Sequence, residues 1–146
     1  MTQKADIFPV SKDRIHDIYC IAKKCFSDPW SESLFESAFD HPDSCFMDVQ
    51  VNDMIAGYII VQKMGDVMSV DDIAVLPDFR RCGIAQKLLE KAHDIFPGYD
   101  FILEVRESNL AAVSLYKKLG YEQVGFRKRY YSNPVEGALL MTRYKK

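Results

Sequence analysis

The segment with the clearest chemical potential is a short loop that leads from an apolar strand pattern into an amphipathic helix pattern. It reads RRCGIA at positions 80–85. The first amides of a helix have no partner within the helix and lie at the positive end of its dipole, so they can hydrogen-bond a phosphate. Gly83 and Ala85 are small, and the charges of Arg80 and Arg81 oppose the helix dipole unless an anion binds there. The pattern predicts a phosphate site, and the alternative is a polar loop with solvated arginines.

A single carboxylate, Glu104, interrupts the apolar run at 101–105. Strand alternation places Glu104 on the same face as Ile102. Burial raises the pKa of a carboxylate toward the range of a general base, which could take a proton from an amine near neutral pH. The alternative is a structural glutamate in an ion pair with Arg106 or Lys117.

A phenol on the next helix is a candidate proton donor. Tyr116 follows Asn109 by seven residues, almost two helical turns, so the two share a face with Ala112. A phenol with a pKa near 10 could protonate a departing thiolate, although a tyrosine on an apolar helix face also serves as core. Asn109 is expected to cap the helix, a role compatible with a ligand contact.

Hydrophobic periodicity predicts an α/β fold in which helices cover both faces of a mixed sheet. Asn-Asp and Gly-Asp pairs separate three apolar runs, which indicates an antiparallel meander. The expected helices begin after Ser11, near Ser31, at Gly83 and at Asn109, and the expected strands are an optional first strand and the ranges 46–51, 54–64, 67–76, 101–105, 121–131 and 138–144.

Length and composition set the limits of the interpretation. With 146 residues and no linker or repeat, the chain is expected to form one domain, 1–146. A net charge of -2 argues against nucleic acid as a partner, and no apolar run is long enough to span a membrane. Without a signal-peptide pattern we expect a cytoplasmic protein with four reduced cysteines. Scattered histidines and a lone C-x4-C pair predict no metal site.

These segments together resemble the GNAT superfamily of acetyl-CoA-dependent N-acetyltransferases. Positions 80–85 fit its R/Q-x-x-G-x-G/A signature, with alanine where a second glycine is usual. The sequences LEVRESN at 103–109, RYY at 129–131 and ALLM at 138–141 are more discriminating. They are similar to the bacterial ribosomal-protein N-terminal-alanine acetyltransferases, the RimI type. The element order resembles the GNAT fold from end to end, with a mostly antiparallel mixed sheet.

The resemblance implies a role for each matching residue. Glu104 would accept a proton from the amine, and Tyr116 would donate one to the leaving thiolate, in a direct attack that uses no cysteine nucleophile. The residues implied in binding acetyl-CoA are Ile73, Ala74 and Val75 through their backbone, Arg80, Arg81, Cys82, Gly83, Ile84, Ala85 and Gln86 around the diphosphate, and Asn109.

The acceptor implied by the resemblance is the alanine-starting end of a small-subunit ribosomal protein. About one α-amine in seven is neutral at pH 7, against about one lysine in 2,500, so a modest base suffices for an α-amine. Lysine or small-amine acceptors, and an acyl-CoA-binding regulator without turnover, remain open.

Three aromatic residues are candidates for the acceptor side. Trp30 lies between the first two helices, where GNAT enzymes often place an acceptor loop, and Tyr130 and Tyr131 adjoin a hairpin turn. Core anchoring for Trp30 and cross-strand packing for the tyrosines are the alternatives. The basic run 127–129 is interpreted as an exposed strand end.

Overall fold

A computed structural model describes residues 5–146, which form a seven-stranded sheet and four α-helices. The strands are β1 (Ala5–Pro9), β2 (Ser44–Val51), β3 (Met54–Met64), β4 (Val67–Val75), β5 (Asp100–Arg106), β6 (Glu122–Tyr131) and β7 (Glu136–Arg143). The helices are α1 (Ile15–Cys25), α2 (Glu32–Asp40), α3 (Ile84–Ile95) and α4 (Leu110–Lys118). Short 3-10 turns at Lys12–Arg14 and Pro77–Phe79 precede α1 and follow β4.

The sheet is mixed and mostly antiparallel, as predicted. Its strand order is β1-β2-β3-β4-β5-β7-β6, and β4 with β5 is the parallel pair. The antiparallel meander of β2, β3 and β4 is confirmed. Asn52 and Asp53 adopt positive φ values of 53° and 65° in its first turn, a conformation that Asn and Asp tolerate better than most residues.

Helices cover both faces of the sheet, which confirms the predicted layers. One core cluster joins α1 and α2 to side chains such as Phe46, Tyr58 and Ile60. The other joins α3 and α4 to the alternate side chains of the same strands, including Met47 and Ile59. The period-2 alternation of strands explains how these consecutive apolar residues serve two separate cores.

The element boundaries differ from the sequence-based ones by a few residues. The optional first strand is present and pairs with β2. β4 ends at Val75, one residue early, because Leu76 is the N-cap of the 3-10 turn that follows. β7 begins at Glu136, two residues early, because Glu136 pairs with Tyr131 across the hairpin.

The two parallel strands separate after a short paired stretch. β4 pairs with β5 only from Val67 to Ser69, opposite Asp100 to Ile102, and both strands then continue. We call the opening between 70–75 of β4 and 103–106 of β5 the cleft. β3 keeps β4 in place at this level because Gly57 lets the strands approach closely. A Cβ atom on Gly57 would lie 2.7 Å from the carbonyl oxygen of Ala74.

No helix within residues 5–146 is both long and apolar enough to cross a lipid bilayer.

Candidate active site

The end of β4 forms one wall of the cleft. From Ile73 to Val75 the strand pairs with β3 on one side, while its other edge lies beyond the last β5 pair. The carbonyl oxygen of Val75 accepts hydrogen bonds from Arg80 Nε at 3.1 Å and from the Cys25 thiol at 3.4 Å. Arg80 therefore fastens the following loop to the end of β4.

The loop then turns into α3 through two residues with left-handed backbone. Arg81 has a φ of 65° and Gly83, the N-cap of α3, has a φ of 75°. No atom lies within 4 Å of the place where a Cβ of Gly83 would be, so the backbone conformation, rather than crowding, favours glycine here. The first amides of α3 follow this turn and, like those at any helix N-terminus, have no acceptor within the helix.

The other residues predicted to contact the cofactor differ in their exposure and in their hydrogen bonds. Cys82 is exposed in the loop, whereas the side chain of Ile84 is buried in the core and only its backbone belongs to the turn. The Gln86 amide donates to Glu90 at 2.6 Å and accepts from Lys118 at 3.0 Å. Asn109 Oδ1 accepts a hydrogen bond from the Ala112 amide, which confirms the predicted helix cap.

A cavity of about 530 Å³ brings together the predicted base and all three predicted acceptor residues. Glu104 lines it with Trp30, Tyr130 and Tyr131. Trp30 also packs on Phe35 with ring centroids 5.1 Å apart, so the residue is both a core anchor and a cavity wall.

Glu104 lies on the face of β5 that the strand alternation predicted, and 32% of its side-chain surface is exposed. Glu104 is therefore only partly buried, less than the sequence analysis considered, and an amine substrate can reach its carboxylate. Its ionic neighbour is Arg127, with Nε 4.0 Å from Oε1, rather than Arg106 or Lys117. Two effects raise the pKa of Tyr130. The larger is a hydrogen bond from its hydroxyl to Glu104, and the smaller is its partial burial.

Arg106 instead binds the β6–β7 hairpin, which carries the cavity residues Tyr130 and Tyr131. Its guanidinium donates to the Ser132 and Pro134 carbonyl oxygens at 2.7 and 2.9 Å and to Glu136 at 3.0 Å. Ser108 donates to Glu136 through both its amide and its hydroxyl. Two conspicuous residues of the LEVRESN segment thus hold the β6–β7 hairpin in place.

The hairpin presents its tyrosines through an irregular stretch of β6. Arg127 pairs with Ala138 and Tyr131 with Glu136, so three residues of β6 lie opposite Gly137 alone. A Cβ atom on Gly137 would lie 2.2 Å from the Phe126 ring, so glycine lets this ring pack over the β7 backbone. Such a bulge redirects side chains, here Tyr130 and Tyr131, toward the cavity.

Tyr116 is buried, with 7% of its surface exposed, and its ring packs on Tyr121 at 5.6 Å between centroids. Burial raises the pKa of Tyr116 to about 12, with smaller contributions from Tyr131 and Asp72. Tyr131 lines the cavity that contains Glu104, whereas Tyr116 is not among its lining residues.

Three charged residues of this region were missed or misinterpreted from sequence. Arg127 is exposed, as expected, but it also lines the cavity beside Glu104, so the interpretation of 127–129 as a plain strand end was wrong at this position. Asp71 lines the cavity as well, and Asp72 accepts a hydrogen bond of 2.8 Å from the Tyr58 hydroxyl. The signal that could have identified Asp71 and Asp72 is the presence of two acidic residues within the apolar strand 67–76.

The part of the chain that the structure describes contains no group of three or more His, Cys, Asp and Glu side chains placed to hold a metal ion.

The sheet with a cleft between β4 and β5, and the loop 80–83 at the N-terminus of α3, define the class of protein. Residues 15–121 match the acetyltransferase (GNAT) family, and the chain belongs to this family. It is an N-acetyltransferase of the GNAT fold.

Among individual relatives, those named for the modification of a ribosomal protein stand out. The chain is 34% identical over 128 residues to the ribosomal protein bS18-alanine N-acetyltransferase of Salmonella typhimurium, covering 83% of this chain and 84% of the relative. It is 31% identical to the N-alpha-acetyltransferase RimI of Mycobacterium tuberculosis, covering 80% and 76%. The crystal structure of the ribosomal-protein-S18-alanine N-acetyltransferase from Escherichia coli superposes with a TM-score of 0.90 at 29% identity, covering 98% and 96%.

Asp72 makes the stability of the fold depend on pH in a defined direction. Burial raises the pKa of Asp72 to about 6, against the lowering effects of the Tyr58 hydroxyl and the Ile73 amide. The folded protein therefore retains a proton that the unfolded chain loses between about pH 4 and pH 6, so ionisation of Asp72 costs stability as the pH rises through this window. Asp72→Asn removes that cost while keeping an oxygen that can accept from Tyr58.

We expect the free energy of unfolding of Asp72→Asn, measured relative to the unmodified protein, to be about 2 to 3 kcal/mol higher near pH 7 than near pH 4, so that the variant is relatively more stable at the higher pH. Urea denaturation at both pH values measures the difference. Asp66→Asn, in the exposed turn before β4, is the control and should show no such change. An equal difference for Asp72→Asn at the two pH values would contradict the assignment.

Proposed function

We propose that the protein transfers the acetyl group of acetyl-CoA to the α-amine at the N-terminus of a protein, with Glu104 as proton acceptor and Tyr116 as proton donor. The observation that carries the proposal is the cavity itself. It places Glu104, at the mouth of the cleft, in one space with the aromatic residues Trp30, Tyr130 and Tyr131. An amine entering from the aromatic side therefore meets the carboxylate where β4 and β5 separate.

The residues around the cleft fit a long thioester carrier with a diphosphate. The N-terminal amides of α3, which follow the N-cap Gly83, and Arg81 beside them suit the diphosphate. Arg80 serves the same site indirectly, because its bond to Val75 fixes the loop. The edge of Ile73, Ala74 and Val75 that lies beyond the β5 pairs can hydrogen-bond amides of the carrier's arm. When bound, acetyl-CoA supplies an activated acyl carbon.

Glu104 acts before bond formation. Most of an α-amine population is protonated at pH 7 and cannot attack, because its lone pair holds a proton. The Glu104 carboxylate accepts that proton, and the neutral amine then attacks the thioester carbon. Arg127 and Tyr130 are the polar neighbours of this carboxylate, with Arg127 Nε 4.0 Å from Oε1.

Tyr116 acts on the leaving group. With its pKa raised to about 12, the phenol keeps its proton throughout the neutral range. It is therefore available as a hydrogen-bond donor to the negative charge that develops on sulfur. Its packing against Tyr121 holds the ring in one place, which favours a fixed donor over a mobile one.

The names of the relatives suggest the acceptor. Both a curated relative and a solved structure are named as alanine N-acetyltransferases of a ribosomal protein of the small subunit. We propose an alanine-starting ribosomal protein as the acceptor of this chain also, which would place the reaction in the cytoplasm. The aromatic walls suit an extended peptide, because Tyr and Trp offer apolar area together with a polar group.

The direct test uses acetyl-CoA and three peptides of one sequence beginning with alanine. One has a free α-amine, one has its α-amine formylated, and one is formylated and carries an added lysine. Mass spectrometry should find one acetyl group on the first peptide only. Acetylation of the third alone would indicate a lysine acceptor, and no product with any peptide would favour a binding domain without turnover.

Removing the proton acceptor should have an effect that depends on pH. Glu104→Gln is expected to lower kcat/KM about sevenfold near pH 7, where only about one α-amine in seven is neutral, and much less above pH 9, where the amine loses its proton without help. Glu122→Gln, which removes an exposed carboxylate at the start of β6, is the matched control. Rates measured across this pH range check the result, and a loss of equal size at every pH would argue for a structural role of Glu104.

A further inference from the structure

A second carboxylate, that of Asp71, lines the same cavity as Glu104. The last β4–β5 pair is Ser69 with Ile102. Asp71 and Glu104 each follow their paired residue by two positions, so strand alternation places both on the same face of the sheet. Both line the same cavity. They are the first residues on this face beyond the point where the strands separate.

A β-bulge lies at Asp71. Ile60 of β3 pairs with Asp72, and the next residue, Val61, pairs with Val70, so Asp71 has no partner on β3. Bulges of this kind are found where a strand must redirect a side chain beside an active site. The Ser69 hydroxyl donates to Asp71 Oδ1 at 2.7 Å and fixes the carboxylate.

The charge of Asp71 lacks a cationic partner of its own. Among residues 5–146 the salt bridge of the cavity joins Arg127 to Glu104, and the partner of Asp71 is the neutral Ser69 hydroxyl. A half-buried carboxylate without a counterion is costly, because burial disfavours its charged form. A cation that enters the cavity would supply the missing counterion.

We propose that Asp71 binds the protonated amine of the acceptor and holds it beside Glu104. This inference rests on the function proposed above. About six α-amines in seven arrive as ammonium ions at pH 7 and carry several N–H donors. One N–H bonds to Asp71 while another transfers its proton to the Glu104 carboxylate, which leaves a neutral amine and a protonated Glu104. Asp71 is thus a substrate-binding residue that selects a cationic amine and orients its nitrogen.

Because Asp71 binds the amine and Glu104 accepts its proton, we expect substitutions of the two carboxylates to have different kinetic effects. Asp71→Asn keeps the size of the side chain and an oxygen for the Ser69 hydroxyl but removes the charge. We expect KM for the alanine-starting peptide to rise about tenfold near pH 7, with kcat changed by less than about threefold. The rise in KM should vanish near pH 9, because a neutral amine gains little from a carboxylate.

Other ionisable groups that face Asp71 do not produce this pattern. They are Glu104 on β5, Arg127, Tyr130 and Tyr131 on β6, and the adjacent Asp72. All are retained in Asp71→Asn, and burial raises the pKa of Tyr131 to about 12, above the range of the experiment.

A binding experiment separates charge recognition from packing. Calorimetry with the CoA-saturated protein compares the free-amine peptide with its des-amino analogue, in which the N-terminal alanine is replaced by a propionyl group. Asp71→Asn should weaken binding of the free-amine peptide about tenfold and leave the des-amino analogue unchanged. Asp66→Asn, outside the cavity, should change neither.

The outcomes of the binding experiment distinguish a role of Asp71 in charge recognition from a role in packing. Equal weakening for both peptides would indicate a packing role and overturn the inference, as would unchanged affinity for the free-amine peptide. In both cases acetylation of the free-amine peptide by the unmodified protein would leave the proposed function standing. If the unmodified protein neither binds nor acetylates that peptide, the proposed function fails and the inference fails with it.

Discussion

The early separation of β4 from β5 is the constraint on which the rest of the structure depends. Parallel neighbours in a sheet normally satisfy each other's backbone groups along their whole length, and here the pairing stops at Ser69 and Ile102. The edge of β4 beyond this point offers amides and carbonyls to the cleft. Because unpaired backbone groups are costly when buried, a ligand or solvent must complete them. The same separation opens the cavity that Glu104 and Asp71 both line.

Several packing features hold β4 and β5 in fixed positions on the two sides of the cleft. α1 and α2 pack on one face of the sheet and α3 and α4 on the other, so each wall of the cleft belongs to a core. Gly57 lets β3 approach β4 closely, which holds one wall. On the other side Arg106 and Glu136 tie the end of β5 to the β6–β7 hairpin. The Ser27 hydroxyl donates to the Asn133 carbonyl oxygen at 2.6 Å, which joins this hairpin to the loop that carries Trp30.

Much of the fold could be predicted from sequence because local signals determined it. The Asn-Asp and Gly-Asp turns, the helix stripes and the cap at Asn109 all act within a few residues, and the structure agrees with them. The functional residues were harder, because their neighbours are distant in sequence. Arg127 meets Glu104 only through the pairing of β6 with β7 and of β7 with β5. The acidic pair Asp71-Asp72 was a visible signal in an apolar strand pattern, but the pattern does not show which of the two lines the cavity.

The central claim is that the cleft receives an acyl carrier whose reactive carbon lies between one carboxylate and one phenol. A crystal structure with acetyl-CoA bound tests it most directly. The account predicts the diphosphate at the N-terminus of α3, the arm along Ile73 to Val75, and the sulfur within hydrogen-bond reach of the Tyr116 hydroxyl, with Glu104 on the acceptor side of the carbonyl. A carrier bound away from the β4 edge, or a sulfur far from Tyr116, would contradict it.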